Sequence, residues 1–256
     1  MSGLLLRLAG PLQSWGERSA FTTIRDTASF PTRSGLIGML AAAEGISRNQ
    51  GGLERYDGLR FTIRTDRPGH RLVDFHTVGG GQPKARTAAT SGGSNKGAAV
   101  ITRRHYLSDA VFVVAVTTPD EKTATRLAEA LDRPHWAPYL GRRSCVPDEP
   151  LVLRCHAPDP EEELLTRVPL ARTTPPHHGE DTVGVEFLYE SAPEDPAQAA
   201  DTIDVTDIPL SFAQHARAHG VRRLHRVTRQ LPLGLTGPKS ELQDRLIEYA
   251  RTEESA

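Results

Sequence analysis

Apolar residues in this chain fall into short runs separated by polar or glycine-rich stretches. Leu4 to Leu8 is one such run, closed by Gly10-Pro11, and predicts a buried first strand. Residues 12–30 are mixed and polar and read as a long connection. Pro31-Thr32-Arg33-Ser34-Gly35 then opens a helix, with Leu36, Met39, Leu40 and Ala43 at helical spacing. Gly38 and Ala42 form a small-residue ridge that would let this helix lie close to a sheet, and Gly45 is its expected stop. Leu59 to Arg64 alternates apolar and basic, predicting one face toward the core and one presenting arginines. A turn at Arg67-Pro68-Gly69-His70 leads to a partner strand, Leu72 to Val78. Val100 to Tyr106 and Ala110 to Val116 read as strands. Glu121 to Leu131 reads as a helix with Ala124, Leu127, Ala128 and Leu131 on its buried face, and Leu151-Val152-Leu153 is a last short apolar stretch.

The order strand, helix, strand, strand, helix, strand suggests an α+β, ferredoxin-like sheet, the architecture shared by RNA-recognition domains. We expect such a domain over residues 1–155, followed by a smaller C-terminal lobe over 156–256. In that second part Val183 to Tyr189 and Ile203 to Ile208 are strand candidates, and Lys239 to Arg251 is a helix preceded by Gly237-Pro238. Residues 79–99 hold Gly79-Gly80-Gly81, Gly92-Gly93 and Gly97, with Lys84, Arg86 and Lys96 between them and no hydrophobic periodicity. A long insertion of this kind in a compact domain is usually functional or disordered.

Charge sharpens the picture. The net charge of −1 hides segregation: residues 1–155 carry 21 Lys+Arg against 14 Asp+Glu, and residues 156–256 carry 10 against 18. Residues 60–104 alone hold 9 basic and 2 acidic side chains, and basic groups on a mobile loop are suited to follow a phosphate backbone. Conversely, residues 158–207 are Pro-rich and hold 13 acidic against 2 basic side chains. No apolar run approaches the roughly 18 residues a membrane helix needs, and the N-terminus lacks the pattern of a signal peptide. Cys145 and Cys155 fit neither a disulfide framework nor a zinc site and read as reduced thiols in the cytoplasm.

Candidate chemistry is sparse. Thr32, Arg33, Ser34 and Gly35 at a helix start could seat a phosphate, where unpaired backbone N–H groups and the helix dipole favour an anion; an ordinary N-cap is the plainer account. Arg103-Arg104-His105-Tyr106 would put Arg104 and Tyr106 on one strand face, an arrangement suited to base stacking and phosphate contact if that face is exposed. His177-His178 with Glu180-Asp181 resembles a metal cluster but sits in a Pro-rich loop, so no metal or other cofactor is expected. His76, His105 and Tyr106 form the one acid–base set that could cleave RNA without a metal. Leu235 to Ile247 is faintly similar to a short helical DNA-binding module, although an interface helix is the plainer reading.

Five motifs in order carry a resemblance. They are Leu12-Gln13-Ser14-Trp15-Gly16; Thr32 to Ala43; Arg64 to Gly69 with Asp74-Phe75-His76-Thr77; Arg104 to Ala110; and Tyr139-Leu140-Gly141-Arg142-Arg143-Ser144-Cys145-Val146-Pro147. In this order the chain resembles the CasD subunit family of the type I-E CRISPR Cascade complex, in detail over about residues 3–155. The resemblance implies an RNA-recognition-like domain with an inserted β-hairpin thumb at about residues 79–103 and a small C-terminal β-rich lobe. It implies a cytoplasmic, non-catalytic subunit that caps the 5′ handle of crRNA, beside the backbone subunit CasC and the large subunit CasA, meeting target DNA through the complex. In related type I-C systems the equivalent protein cleaves precursor RNA, whereas in type I-E a separate subunit, CasE, does so. The residues then expected to contact RNA are Gln13, Trp15, Arg25, Thr32, Arg33, Ser34, Lys84, Arg86, Lys96, Arg103, Arg104, Tyr106, Arg142 and Arg143.

Overall fold

The protein is described from a computed structural model covering residues 2–16, 23–79, 83, 86, 99–172, 181–193, 201–213 and 216–252. Its strands are β1 (Ser2–Ala9), β2 (Leu12–Gln13), β3 (Ile24–Arg25), β4 (Arg60–Arg67), β5 (His70–Val78), β6 (Val100–Ser108), β7 (Val111–Thr118), β8 (Val152–Ala157), β9 (Thr182–Tyr189), β10 (Asp201–Ser211) and β11 (Ala218–Pro232). Its helices are α1 (Arg33–Ala43), α2 (Glu121–Asp132), α3 (Pro160–Thr166) and α4 (Leu242–Arg251). It is a mixed α/β fold dominated by antiparallel sheet. Among the described residues, seven strands form one sheet in the order β10-β11-β9-β4-β7-β1-β8.

Both faces of this sheet are covered, which explains the unbroken apolar runs. Along β1, Leu4, Leu6 and Leu8 enter one core with Leu36 and Leu40 of α1 and Leu127 and Leu131 of α2. Leu5 enters a second core with Leu164 of α3 and Leu246 and Tyr249 of α4. Strand β7 divides the same way, Phe112, Val114 and Val116 to the first core, Val113 and Ala115 to the second. Strand β4 therefore presents no row of arginines to solvent. Arg64 is fully buried in a bidentate pair with Asp66 (2.7 and 3.1 Å), and its remaining donors reach the carbonyls of Leu164, Val168 and Pro169.

The boundary expected at residue 155 falls inside β8, and the strands beyond it extend the main sheet through pairing of β9 with β4. That pairing removes an exposed sheet edge. Helix α4, considered above as a DNA-binding module or interface helix, buries Leu246 and Tyr249 within this chain. Arg154 of β8 lies over the Tyr249 ring at 4.5 Å and pairs with Glu163 at 3.1 Å. No helix among the described residues is long and apolar enough to cross a membrane.

An arm leaves the main sheet. Strands β4 and β7 continue past tight turns into β5 and β6, which pair antiparallel along their whole length from His70↔Ser108 to Val78↔Val100. Gly69 makes this possible: its φ is +72°, and a Cβ there would lie 2.6 Å from the Ser108 carbonyl oxygen. On its other edge β6 pairs antiparallel with β2 and parallel with β3. The glycine-rich insertion joins the outer ends of β5 and β6; Lys84 and Lys96 lie outside the described residues, as do His177, His178 and Glu180.

Candidate nucleic-acid interface

The start of α1 is already filled. Thr32 caps the helix, accepting a hydrogen bond from Gly35 N at 3.3 Å, while Asp207 of β10 accepts from Arg33 N at 2.6 Å. The first turn of α1 carries no acidic residue of its own, so Asp207 supplies the charge that the helix dipole favours. Asp207 is held in turn by Arg222 of β11, through contacts of 2.6 and 2.7 Å. Arg222 and Arg33 share Glu190, and Arg33 also donates to the Leu59 carbonyl and lies 5.2 Å from the Phe61 ring centroid. The anion seat expected at this helix start thus holds an internal carboxylate. The close approach on α1 is also displaced from the expected ridge. A Cβ on Gly35 would meet the Trp15 ring at 2.9 Å, whereas at Gly38 it would make only ordinary contact with Phe212.

Gln13, Trp15, Thr32, Arg33 and Tyr106, all among the expected RNA contacts, are at most 8 % exposed and are bonded or packed internally. Gln13 donates to the Leu8 and Ala110 carbonyls and accepts from Trp15 Nε1 at 3.0 Å. Tyr106 is covered by the Arg142 guanidinium, 4.6 Å from its ring centroid, so it offers no open stacking face. Ser34 is half-buried and lies 3.5 Å from the Thr32 hydroxyl.

The other candidates gather on β3, β6 and the turn at 140–145. Register puts Arg25 opposite Arg104, on one face with Asp74, His76 and Tyr106. Arg104 is half-buried and steadied by the Thr102 hydroxyl at 3.2 Å. Arg142 donates to the Arg25 and Asp26 carbonyls at 3.1 and 3.5 Å, tying the turn to β3. The turn is pressed home at Gly141, whose φ is +84° and where a Cβ would sit 1.7 Å from the Ser14 carbonyl oxygen. Ser14 N donates to the Leu140 carbonyl and Leu140 N to the Cys145 carbonyl, closing the loop, while burial pushes the Cys145 thiol pKa up. Arg143 and Arg103 are exposed, as is Arg86 near the arm's outer end. Arg25, Arg104, Arg142 and Arg143 thus lie on adjoining elements, β3, β6 and the 140–145 turn.

Sequence reasoning did not recognise the opposite face of the arm as a surface, although two of its residues, Arg103 and His105, were among the candidates. This face carries Arg71, Val73, Phe75 and Thr77 on β5, Ile101, Arg103 and His105 on β6, and Ile24 on β3. The alternation of β5 was visible, but strand patterns alone do not say which face lacks a cover. Register also separates the three candidate cleavage residues. His105 lies on the face opposite His76 and Tyr106, and His76 pairs with Thr102, four residues from Tyr106. Four residues of strand span about 13 Å, too far for concerted proton transfer.

A family described as "CRISPR-associated protein (Cas_Cas5)" matches residues 3–225. The chain belongs to that family. A curated relative, the CRISPR system Cascade subunit CasD of Escherichia coli (strain K12), is 36% identical over 208 residues, covering 76% of this chain and 88% of that protein. Among solved structures, a chain of a "CRISPR RNA-guided surveillance complex" superposes with a TM-score of 0.85 at 47% identity, covering 97% of this chain and 99% of that one. A "Cas protein" crystal structure matches with a TM-score of 0.59 at 29% identity, over 92% of this chain and 97% of that one.

Proposed function

We propose that this Cas_Cas5 family protein is a non-catalytic subunit of a type I-E CRISPR surveillance complex in the cytoplasm, binding and capping the 5′ handle of crRNA. The observation that carries the reading is the gathering of Arg25, Arg104, Arg142 and Arg143 on β3, β6 and the 140–145 turn. The similarity to a Cascade subunit and to a chain of an RNA-guided complex supports it. The sheet order β4-β7-β1-β8, with α1 between β1 and β4 and α2 between β7 and β8, supports a ferredoxin-like, RNA-recognition-like domain. In this reading the β5–β6 arm is the thumb, with Arg86, Lys84 and Lys96 toward its tip. Neighbouring subunits are CasC and CasA, and target DNA is met through the assembled complex.

Labelled repeat RNA incubated with the purified chain, with and without divalent metal, should be bound and left intact. Affinity should fall with salt at a slope of about −0.7 per neutralised phosphate. Arg104→Ala should make that slope shallower by about 0.7, as one lost phosphate contact requires. Specific cleavage abolished by His105→Ala would overturn the non-catalytic reading, and an unchanged slope in Arg104→Ala would remove Arg104 from the RNA contacts.

A further inference from the structure

The arm's second face has a composition that its packing does not explain. Phe75 is 64% exposed, Val73 55%, Ile24 48% and Ile101 47%. Single exposed apolar side chains are ordinary, but four on one small sheet face mark a binding surface. Register brings them together: Phe75 lies opposite Arg103, and Arg103 lies opposite Ile24 on the next strand. Val73 faces His105, and Ile101 faces Thr77. Cross-strand partners have Cβ atoms about 5 Å apart, so the Phe75 ring and the Arg103 side chain are immediate neighbours. Arg71 stands two residues before Val73 on the same face, its guanidinium anchored on the Thr27 carbonyl at 3.2 Å.

Charge selects the occupant. None of the residues that register puts on this face of β3, β5 and β6 is a carboxylate; Asp74 lies on the other face. An apolar surface interleaved with arginines and devoid of acids suits a ligand with flat apolar groups on an anionic chain. A single-stranded RNA has that chemistry, because every base offers a π-face and every linkage a phosphate. Phe75 is the one exposed aromatic ring in the set, the His105 imidazole being half-buried, and it is open where Tyr106 is covered.

We propose that Phe75 is a stacking platform for one unpaired base of the bound RNA, with Arg103 beside it taking the adjoining phosphate. The inference rests on the RNA-binding reading above and adds a second contact face to it. The bound strand would then engage both sides of the arm, cations on one and a base on the other.

The test uses the full chain and a labelled single-stranded RNA of about 12 nucleotides, within the usual site size, plus a set of the same RNA with one abasic position each. Phe75→Ala should weaken binding by about 5- to 150-fold, the range for losing one stacked base. Its salt slope should stay unchanged, while Arg103→Ala makes the slope shallower by about 0.7. Phe75→Trp should restore binding. One abasic position should weaken the unaltered chain and abolish the difference between it and Phe75→Ala. Thermal unfolding should be the same for all variants, since the side chain is exposed. No RNA binding by the unaltered chain would overturn the proposed function and this inference with it. Full RNA affinity in Phe75→Ala would overturn the inference alone. If that variant also failed to join the assembled complex, the face would belong to a protein partner instead.

Discussion

Asp207 provides a test of how the two ends of the chain are joined. Its carboxylate is 1% exposed, and it accepts from Arg33 N at the start of α1 and from Arg222 through two contacts. Replacing it by alanine would leave a buried guanidinium without half of its charge partners and a helix N–H without an acceptor. Breaking one side of a buried pair typically costs about 3–5 kcal/mol. For a chain of this length each kcal/mol moves the melting point by about 2–4 °C, so Asp207→Ala should melt roughly 6–20 °C lower. Asp207→Asn should lose less, because an amide oxygen can still accept from Arg33 N. Calorimetry or circular dichroism at fixed pH measures both. RNA affinity of the folded variants, and its salt slope, should match the unaltered chain. An Asp207→Ala protein that melts normally would refute the assigned cost. One that binds RNA more tightly would show that the start of α1 is an anion seat that Asp207 merely blocks.

Three further perturbations follow from the geometry. Gly141→Ala should destabilise the chain by about 1–3 kcal/mol for its φ of +84°, and should weaken RNA binding because the clash with Ser14 shifts Arg142; unfolding and RNA titrations read the two effects. His219 has its pKa lowered from 6.5 by burial and by Arg217, against a smaller opposing effect of Asp207. Its neutral form is therefore favoured in the fold, so stability should fall as pH drops through and below about 6.5; NMR titration should give a midpoint below 6.5, and His219→Gln should remove that part of the acid loss. Replacing residues 79–99 by a short Gly-Ser turn should leave melting nearly unchanged, since among the described residues β5 pairs only with β6 and is largely exposed, and should prevent stable incorporation into the RNA complex, as measured by co-purification.

Much of the fold was legible because its strands are short apolar runs and its helices are capped in ways that chemistry dictates. Asp120 accepts from Thr123 N at the start of α2, and Gly45 follows α1 with positive φ. Strand β11 escaped notice because its buried side changes along its length, with Val221, Arg223, Thr228 and Gln230 exposed between the buried positions. Leu224 enters the first core and Leu231 the second, so its apolar positions do not alternate. Helix α3 hid among acidic residues, although Asp159-Pro160 is an N-cap followed by proline at the first helical position. For the site, the sequence marked which segments are basic but not which arginines are free to act. Arg33 and Arg104 look alike along the chain. Only the arrival of Glu190, more than a hundred residues later, makes the first a structural cation.

This pairing across the chain accounts for part of the charge segregation. The acidic second part consumes buried cations of the first: Glu190 holds Arg33 and Glu163 holds Arg154. Such pairs leave little field outside the protein, because each charge is matched at contact distance. Arg143 and Arg103, by contrast, are exposed on the surface built from the first part, and Arg142 is spread over a ring and two carbonyls. A near-neutral total is therefore compatible with a basic surface there. Three of these acids, Glu163, Glu190 and Asp207, are spent inside on Arg154, Arg33 and Arg222. Asp201 and Asp204 stay at the surface beside Arg226 and Arg223, away from the exposed Arg103 and Arg143. Neutralising an interior acid should thus weaken the fold, while neutralising an arm cation should weaken only the grip on RNA, and measurements of melting point and salt slope on the same variants separate the two.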